Sequence, residues 1–424
     1  MDDKKQMNLT RNPLTGSQKA LLAQGALSST FFAIGTGNFL AGYLLYLGAQ
    51  PAFCAVVAAL PQLGCIMQII SPFLFERMRN RKVLICGCCF AFRFGMGLAG
   101  LIPFMLTGQN ARLGAVFALY LLAFSCAGFV TPGLDQWTME LAPRTHRGQF
   151  FAGRNILSAL LNSGISLVLG WQLDQFALMG QPEKGYFVLY VCCCLLACVD
   201  LFLLSRMDEV PCEPMASMKP GDLLRPLRDR TYRKIMIFLL MWFFAVNFSR
   251  AFVSVYMIQA LGMPHTTITV VATVASVAGM IGTWFWGTMA DRTSWNRIMI
   301  WTGCLVGAVY LCWGVVRPGG PLLAAFVLQA VLGGCNGSFE IASMNLQFSC
   351  SPREGKTLYL GVGAAVSNLA GYGAALLGAS LQSWLMVPMG IHSINLLFVC
   401  SGIFCLAAVL AVVPGLPEII PGEE

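Results

Sequence analysis

Two residues of chemically active types stand alone in apolar stretches. Glu340 lies within CNGSFEIAS (335–343), and no other charged residue falls between Gly319 and Phe348. Arg250 lies within FFAVNFSRAFVSVY (243–256), again as the one charge. A carboxylate there can exchange a proton or bind a donor group, and a guanidinium attracts an anion. If both stretches cross a bilayer, each charge costs at least ~2.5 kcal/mol, too much to be explained by helix packing alone.

Polar neighbours fall on shared faces at helical spacing. Asn336, Glu340, Ser343 and Gln347 form one stripe, and Asn247, Arg250 and Ser254 another. Thr131, Asp135 and Thr138 follow the same pattern, as do Asn155, Ser158, Asn162 and Ser166. A fifth stripe holds Thr266, Thr269, Thr273, Ser276 and Thr283. The serines of the fourth stripe and the threonines of the fifth are read first as residues that pack helices closely and bond across them.

The elements that carry these stripes must be membrane helices. The 424-residue chain is 57% hydrophobic and 11% charged, with mean hydropathy +0.70. That is too little charge to cover a water-facing surface. Twelve apolar spans are expected, at 20–48, 51–74, 83–107, 114–138, 150–174, 186–206, 234–260, 266–288, 298–316, 321–348, 358–384 and 391–413. Each reaches across a hydrocarbon core of ~30 Å as a helix, and such continuous runs do not suit a β-barrel. The polar residues 1–19 precede an apolar segment too long for a cleaved signal, so it is taken as an uncleaved first span.

Lysine and arginine set the expected orientation. With both termini cytoplasmic, Arg112, Lys184 and Arg317 alone fall in outer loops, and Arg93 and Arg250 lie inside spans. All the other Lys and Arg, of 27, are then cytoplasmic, as the positive-inside rule requires. The net charge of +8 thus faces the cytoplasm and its anionic lipids, with no call for nucleic acid. The Cys clusters ICGCC and VCCCLLAC fall inside spans without a nearby His, which reads as small buried hydrophobes. No metal or cofactor is expected. No GxxxxGK[ST], HExxH or GxSxG occurs, which argues against ATP-driven work and against an enzyme.

The chain repeats itself. YLLYLGAQP (43–51) and VYMIQALGMP (255–264) each close the first span of a half with Leu-Gly and a nearby Pro. ISPFLFERMRNRKVLI (70–85) and FWGTMADRTSWNRIMI (285–300) each place an acid–Arg pair after the second span. APRTHRGQFFAG (142–153) and SPREGKTLYLG (351–361) each open the fifth span after Pro-Arg. Three matches in order imply parallel copies of a six-helix unit. The expected bounds are a first bundle over 1–206, a charged, proline-containing linker over 207–233 and a second bundle over 234–424.

GTMADRTSWNR (287–297) resembles the loop motif of the major facilitator superfamily, with Gly287, Asp291, Arg292 and Arg297 in place and Ser294 where a second Gly is usual. The first-half copy departs further, with Pro72 for the leading Gly and Glu76-Arg77 for Asp-Arg. The resemblance covers essentially the whole chain. WTMELAPRTHRGQFFAGRN (137–155) also resembles a loop of poorly characterised bacterial members.

This resemblance implies an all-α membrane protein of twelve helices in two pseudo-symmetric six-helix bundles. It puts spans 1, 4, 7 and 10 around a central cavity, with 2, 5, 8 and 11 beside them. Arg250, Asn247, Asn336, Glu340, Asn38 and Asn162 are then expected to bind substrate. Glu340 is expected to exchange protons, and Asp135 is expected to be either a second proton site or, by preference, a gate partner for a basic loop residue. Glu76, Arg77, Gly287, Asp291 and Arg292 are expected to gate. Arg93 and Asp200, on peripheral spans, should pair or snorkel. The implied protein is a monomeric, multi-pass transporter of the bacterial inner membrane, moving a small polar and perhaps anionic metabolite with protons. Efflux of lipophilic cations and a non-transporting sensor or scaffold are the alternatives.

Overall fold

The computed structural model describes residues 15–75, 78, 80–143, 147–209, 225–290, 293–351 and 356–416, and these are predominantly helical, with no strand among them. Spans 4, 5 and 6 are the single helices Gln109–Leu141, Arg147–Leu178 and Pro182–Arg206. Spans 8 to 12 are His265–Ala290, Trp295–Val315, Leu322–Cys350, Lys356–Met389 and His392–Val412. Span 2 is segmented into Pro51–Ala58, Leu60–Gly64 and Met67–Phe75. Span 3 runs from Lys82–Gly97 through a 3₁₀ turn, Leu98–Leu101, into Ile102–Met105.

Eleven helices among the described residues are long and apolar enough to cross a membrane, and they correspond to spans 2 to 12. The continuous first span expected over 20–48 is corrected. It consists of Gly16–Gly35 and Gly37–Tyr46, and Gln18, Lys19, Gln24, Ser28 and Thr30 make its first portion polar. At the break the Thr36 hydroxyl donates to the Phe32 carbonyl, and Gly37 takes φ +58°, a left-handed conformation that favours a residue without Cβ.

Span 7 breaks in the same way, into Arg230–Asn247 and Arg250–Gln259. The second piece has 10 residues in span 1 and 10 in span 7. Both spans then stop at the Leu-Gly seen in the sequence, where Gly48 has φ +86° and Gly262 φ +62°. A left-handed residue after the last turn ends a helix, which is why glycine recurs there.

Packing repeats as well. Spans 2 and 4 approach so closely at Gly64 and Gly128 that a Cβ on Gly128 would overlap the Gly64 carbonyl. Spans 8 and 10 do the same at Gly282 and Gly334. With no hydrophobic drive between helices in lipid, such close backbone approach is a main source of association.

Successive spans reverse direction, so the first and last described residues share one face with the end of span 6 and the start of span 7. We call it the terminal face and its opposite the distal face. Span 1 packs on spans 5 and 6, and span 3 on spans 4 and 6; span 9 packs on spans 10 and 12, and span 7 on spans 11 and 12. Between the two groups of six run two main seams, span 5 against span 8 and span 2 against span 11.

Candidate functional site

Where span 1 breaks, its second piece starts with Gly37, Asn38 and Phe39 beside the seam of spans 5 and 8. A cavity of ≈ 60 Å³ opens there, enough for a few waters. Its polar lining is Asn38 from span 1, Asn162, Ser163 and Ser166 from span 5, and Thr269, Thr273 and Ser276 from span 8. No charged side chain lines it.

The hydrogen bonds define what this lining offers a guest. Thr269, Thr273 and Ser276 donate their hydroxyls to the carbonyls one turn back, those of His265, Thr269 and Ala272, at 2.8, 2.9 and 3.0 Å. Their oxygens keep free lone pairs to accept from a guest. Asn38 reaches across to Thr269 Oγ1 at 3.5 Å, and Ser166 donates to Asn162 Oδ1 at 3.1 Å, which leaves the Asn162 amide N–H groups available. A surface of hydroxyls and amides without charge matches a solute with several neutral donors and acceptors.

On the distal side of this cavity, the seam is closed by Asp174 of span 5. Its carboxylate accepts the backbone N–H groups of His265 and Thr266, the first residues of span 8, at 2.8 Å each, and also the Thr266 hydroxyl. The His265 ring lies 3.2 Å from the Tyr186 hydroxyl of span 6.

Residues 177–375 match the family model described as Major Facilitator Superfamily. The solved structures most like this one include an auto-inhibited peptide transporter of the POT family, at TM-score 0.75 and 11% identity, with 96% of this chain and 98% of that one covered. A point mutant of the nucleoside transporter NupG gives 0.74 at 11% identity, over 94% and 99% of the chains. The xylose transporter XylE from E. coli, inward open, gives 0.71 at 14% identity, over 96% and 98%. No curated protein matches the chain in sequence. The fold is that of the major facilitator superfamily.

On this major facilitator scaffold the expected site residues separate. Asn38 and Asn162 come together on the cavity. Asn247 lies instead at the other seam, where it accepts from Gln62 Nε2 of span 2 at 3.0 Å. Arg250 opens the second piece of span 7, exposed and within electrostatic range of Tyr310 on span 9. Glu340 is exposed on span 10, and Asn336 half-buried one turn before it. No ion pair joins Arg250 to Glu340 among the described residues. Of the loop motif, Gly287 is half-buried near the terminal end of span 8; Glu76, Arg77, Asp291 and Arg292 lie outside the described residues.

Asp135 of span 4 is within electrostatic range of Arg154 on span 5. Gly25 of span 1 gives Arg154 its room, since a Cβ there would overlap the guanidinium. Arg93 and Asp200 pair at 2.8 Å, both almost fully buried, with Gln24 Nε2 donating to Asp200 and Arg93 donating to Ser28. A buried pair inside the bundle is a structural arrangement whose loss on one side leaves an uncompensated charge.

Sequence reasoning missed Asp174 and set Thr269, Thr273 and Ser166 down as packing residues. The stripe spacing already put the threonines on one face. Asn38 and Asn162 were expected at the site; what the spacing could not supply was that the threonines face them, from more than a hundred residues away.

Proposed function

We propose that the chain is a secondary active transporter working by alternating access, which moves a small polar solute without a fixed charge. The uncharged cavity at the meeting of spans 1, 5 and 8 carries this reading. It lies between the two groups of six helices, beside a broken span, where transporters of this architecture place their sites. Peptide, nucleoside and xylose transporters share the fold. All three solutes are polar, which supports the same broad class here. Arg250 does not line the cavity, so the anionic character that it suggested is not part of the proposal.

Protons are the proposed coupling ion. Glu340 is exposed on span 10, which packs on the cavity-lining span 8; it has no hydrogen bond or ion pair among the described residues and is the proposed exchanging carboxylate. Asp135, within electrostatic range of Arg154 of its own bundle, is proposed as a second proton-exchanging carboxylate on the terminal side of the cavity. That face is the cytoplasmic one in this reading, because nearly all the loop Lys and Arg belong to it.

Uptake by proteoliposomes of the full chain tests the whole proposal. A panel of neutral polyhydroxylated and amide-bearing solutes is offered with and without an inward proton gradient. Uptake of a neutral solute, with gradient-driven accumulation lost and exchange kept in Glu340→Gln, is the expected result. Uptake of anions alone, or of nothing, contradicts it.

A further inference from the structure

The first N–H groups of any helix lack partners within that helix, and their dipoles favour a negative group there. Span 8 begins at His265 and receives that group from the other half of the molecule. Asp174 and its three donors at His265 and Thr266 form a cap that crosses the seam between spans 5 and 8. Charge-assisted bonds of this kind are about twice as strong as neutral ones.

The cap is seated with little slack. Gly170, one turn before Asp174, leaves space for the His265 carbonyl and Thr269 Oγ1; a Cβ there would come within 3.2 and 3.1 Å of them. A Cβ on Gly42 of span 1 would overlap the His265 ring, so spans 1, 5 and 6 all close on this one turn. Thr269, one turn further along span 8, lines the cavity. The cap therefore sits directly between the cavity and the distal face.

We propose that Asp174 is the distal gate residue, and that its release from the first turn of span 8 is the step that opens the cavity to the distal side. This rests on the transporter reading above. An Asp cap made within one bundle would persist through a rocking motion. A cap supplied by the opposite bundle must break each time the seam parts, and its three bonds break together.

The test is labelling, which needs no solute and so stands or falls apart from the proposed function. Ser276→Cys, on the cavity wall, is introduced into a full-length background with the exposed Cys198 and Cys312 changed to Ser. A membrane-impermeant maleimide is added from the distal or the terminal side of oriented vesicles, and the rate is read against the same background without the new cysteine. Asp174→Ala is expected to raise the distal rate at least about tenfold, a shift of ~1.4 kcal/mol in the gate equilibrium, and to lower the terminal rate. Asp174→Asn keeps one acceptor oxygen and should move both rates the same ways by less, which serves if the alanine variant does not fold. Rates unchanged in both variants overturn the proposal. So does a rise from both sides together, which marks a loosened fold rather than an opened gate.

Discussion

The two main seams between the halves are the same contact made twice by a repeated unit, yet they are held differently. Span 5 meets span 8 through a carboxylate on a helix start, with Asn38 bonded to Thr269 below it. Span 11 packs along span 2, and the bond across the halves beside it is neutral, Gln62 of span 2 donating to Asn247 of span 7. Within the second half, Gly378 of span 11 lies so close to Phe248 of span 7 that a Cβ would overlap its carbonyl, and Gly371 lies against Asn247. At the distal end of span 11, Gln382 turns to Ser393 within its own half at 3.4 Å.

One residue of loop length contributes to the difference. Span 2 follows LGAQP and takes Pro51 as its first helical residue, which has no N–H to give. Span 8 follows LGMP, so the proline falls before the helix and His265 and Thr266 both keep their donors. The seam with free donors acquired an acid and a polar cavity; the other has a neutral amide pair, Gln62 with Asn247, beside it. In a rocking molecule the first suits a gate.

Disrupting the packing of spans 7 and 11 behind the second seam should have the largest effect. Gly378→Leu forces a bulky side chain against the Phe248 backbone, and overpacking of this sort costs about 1–3 kcal/mol. We expect a lower unfolding temperature in detergent and transport reduced more than tenfold, whichever solute is used. Normal stability and transport would show that this close approach of spans 7 and 11 does not help hold the second half together. The smallest effect is expected from Gln62→Leu, which removes the one hydrogen bond from span 2 to Asn247. Such interhelical bonds average ~0.6 kcal/mol in membranes, so unfolding should shift slightly and solute affinity should not move. A loss of binding in that variant would place the solute at the second seam.

Much of this arrangement was legible in sequence because it is written locally. Span length and apolarity follow from windows of about 20 residues. The Leu-Gly stops showed as a repeat before Gly48 and Gly262 proved left-handed. Arg93 and Asp200 were expected to pair or to snorkel, and they pair with each other. The break at Thr36 was not anticipated, although Gly-Thr-Gly-Asn at 35–38 is poor helix sequence. The gate had no local signature at all. Asp174 finds its partners 91 and 92 positions away, and an acid near a span end reads as a boundary residue until the opposite bundle is in view. Arg250 drew attention by its charge, and the cavity formed elsewhere, from the expected Asn38 and Asn162 and from hydroxyls that had looked like packing residues.

That contrast sets the deciding measurement: affinity of the purified chain for whichever neutral solute it takes up, compared between Asn162→Ala and Arg250→Ala. Removing the Asn162 amide from the cavity should weaken binding about tenfold, the loss of one or two buried hydrogen bonds at ~1 kcal/mol each. Arg250→Ala should leave affinity within about twofold, as expected of a group that does not touch the guest. Binding abolished by Arg250→Ala and untouched by Asn162→Ala would contradict the account and return the site to span 7.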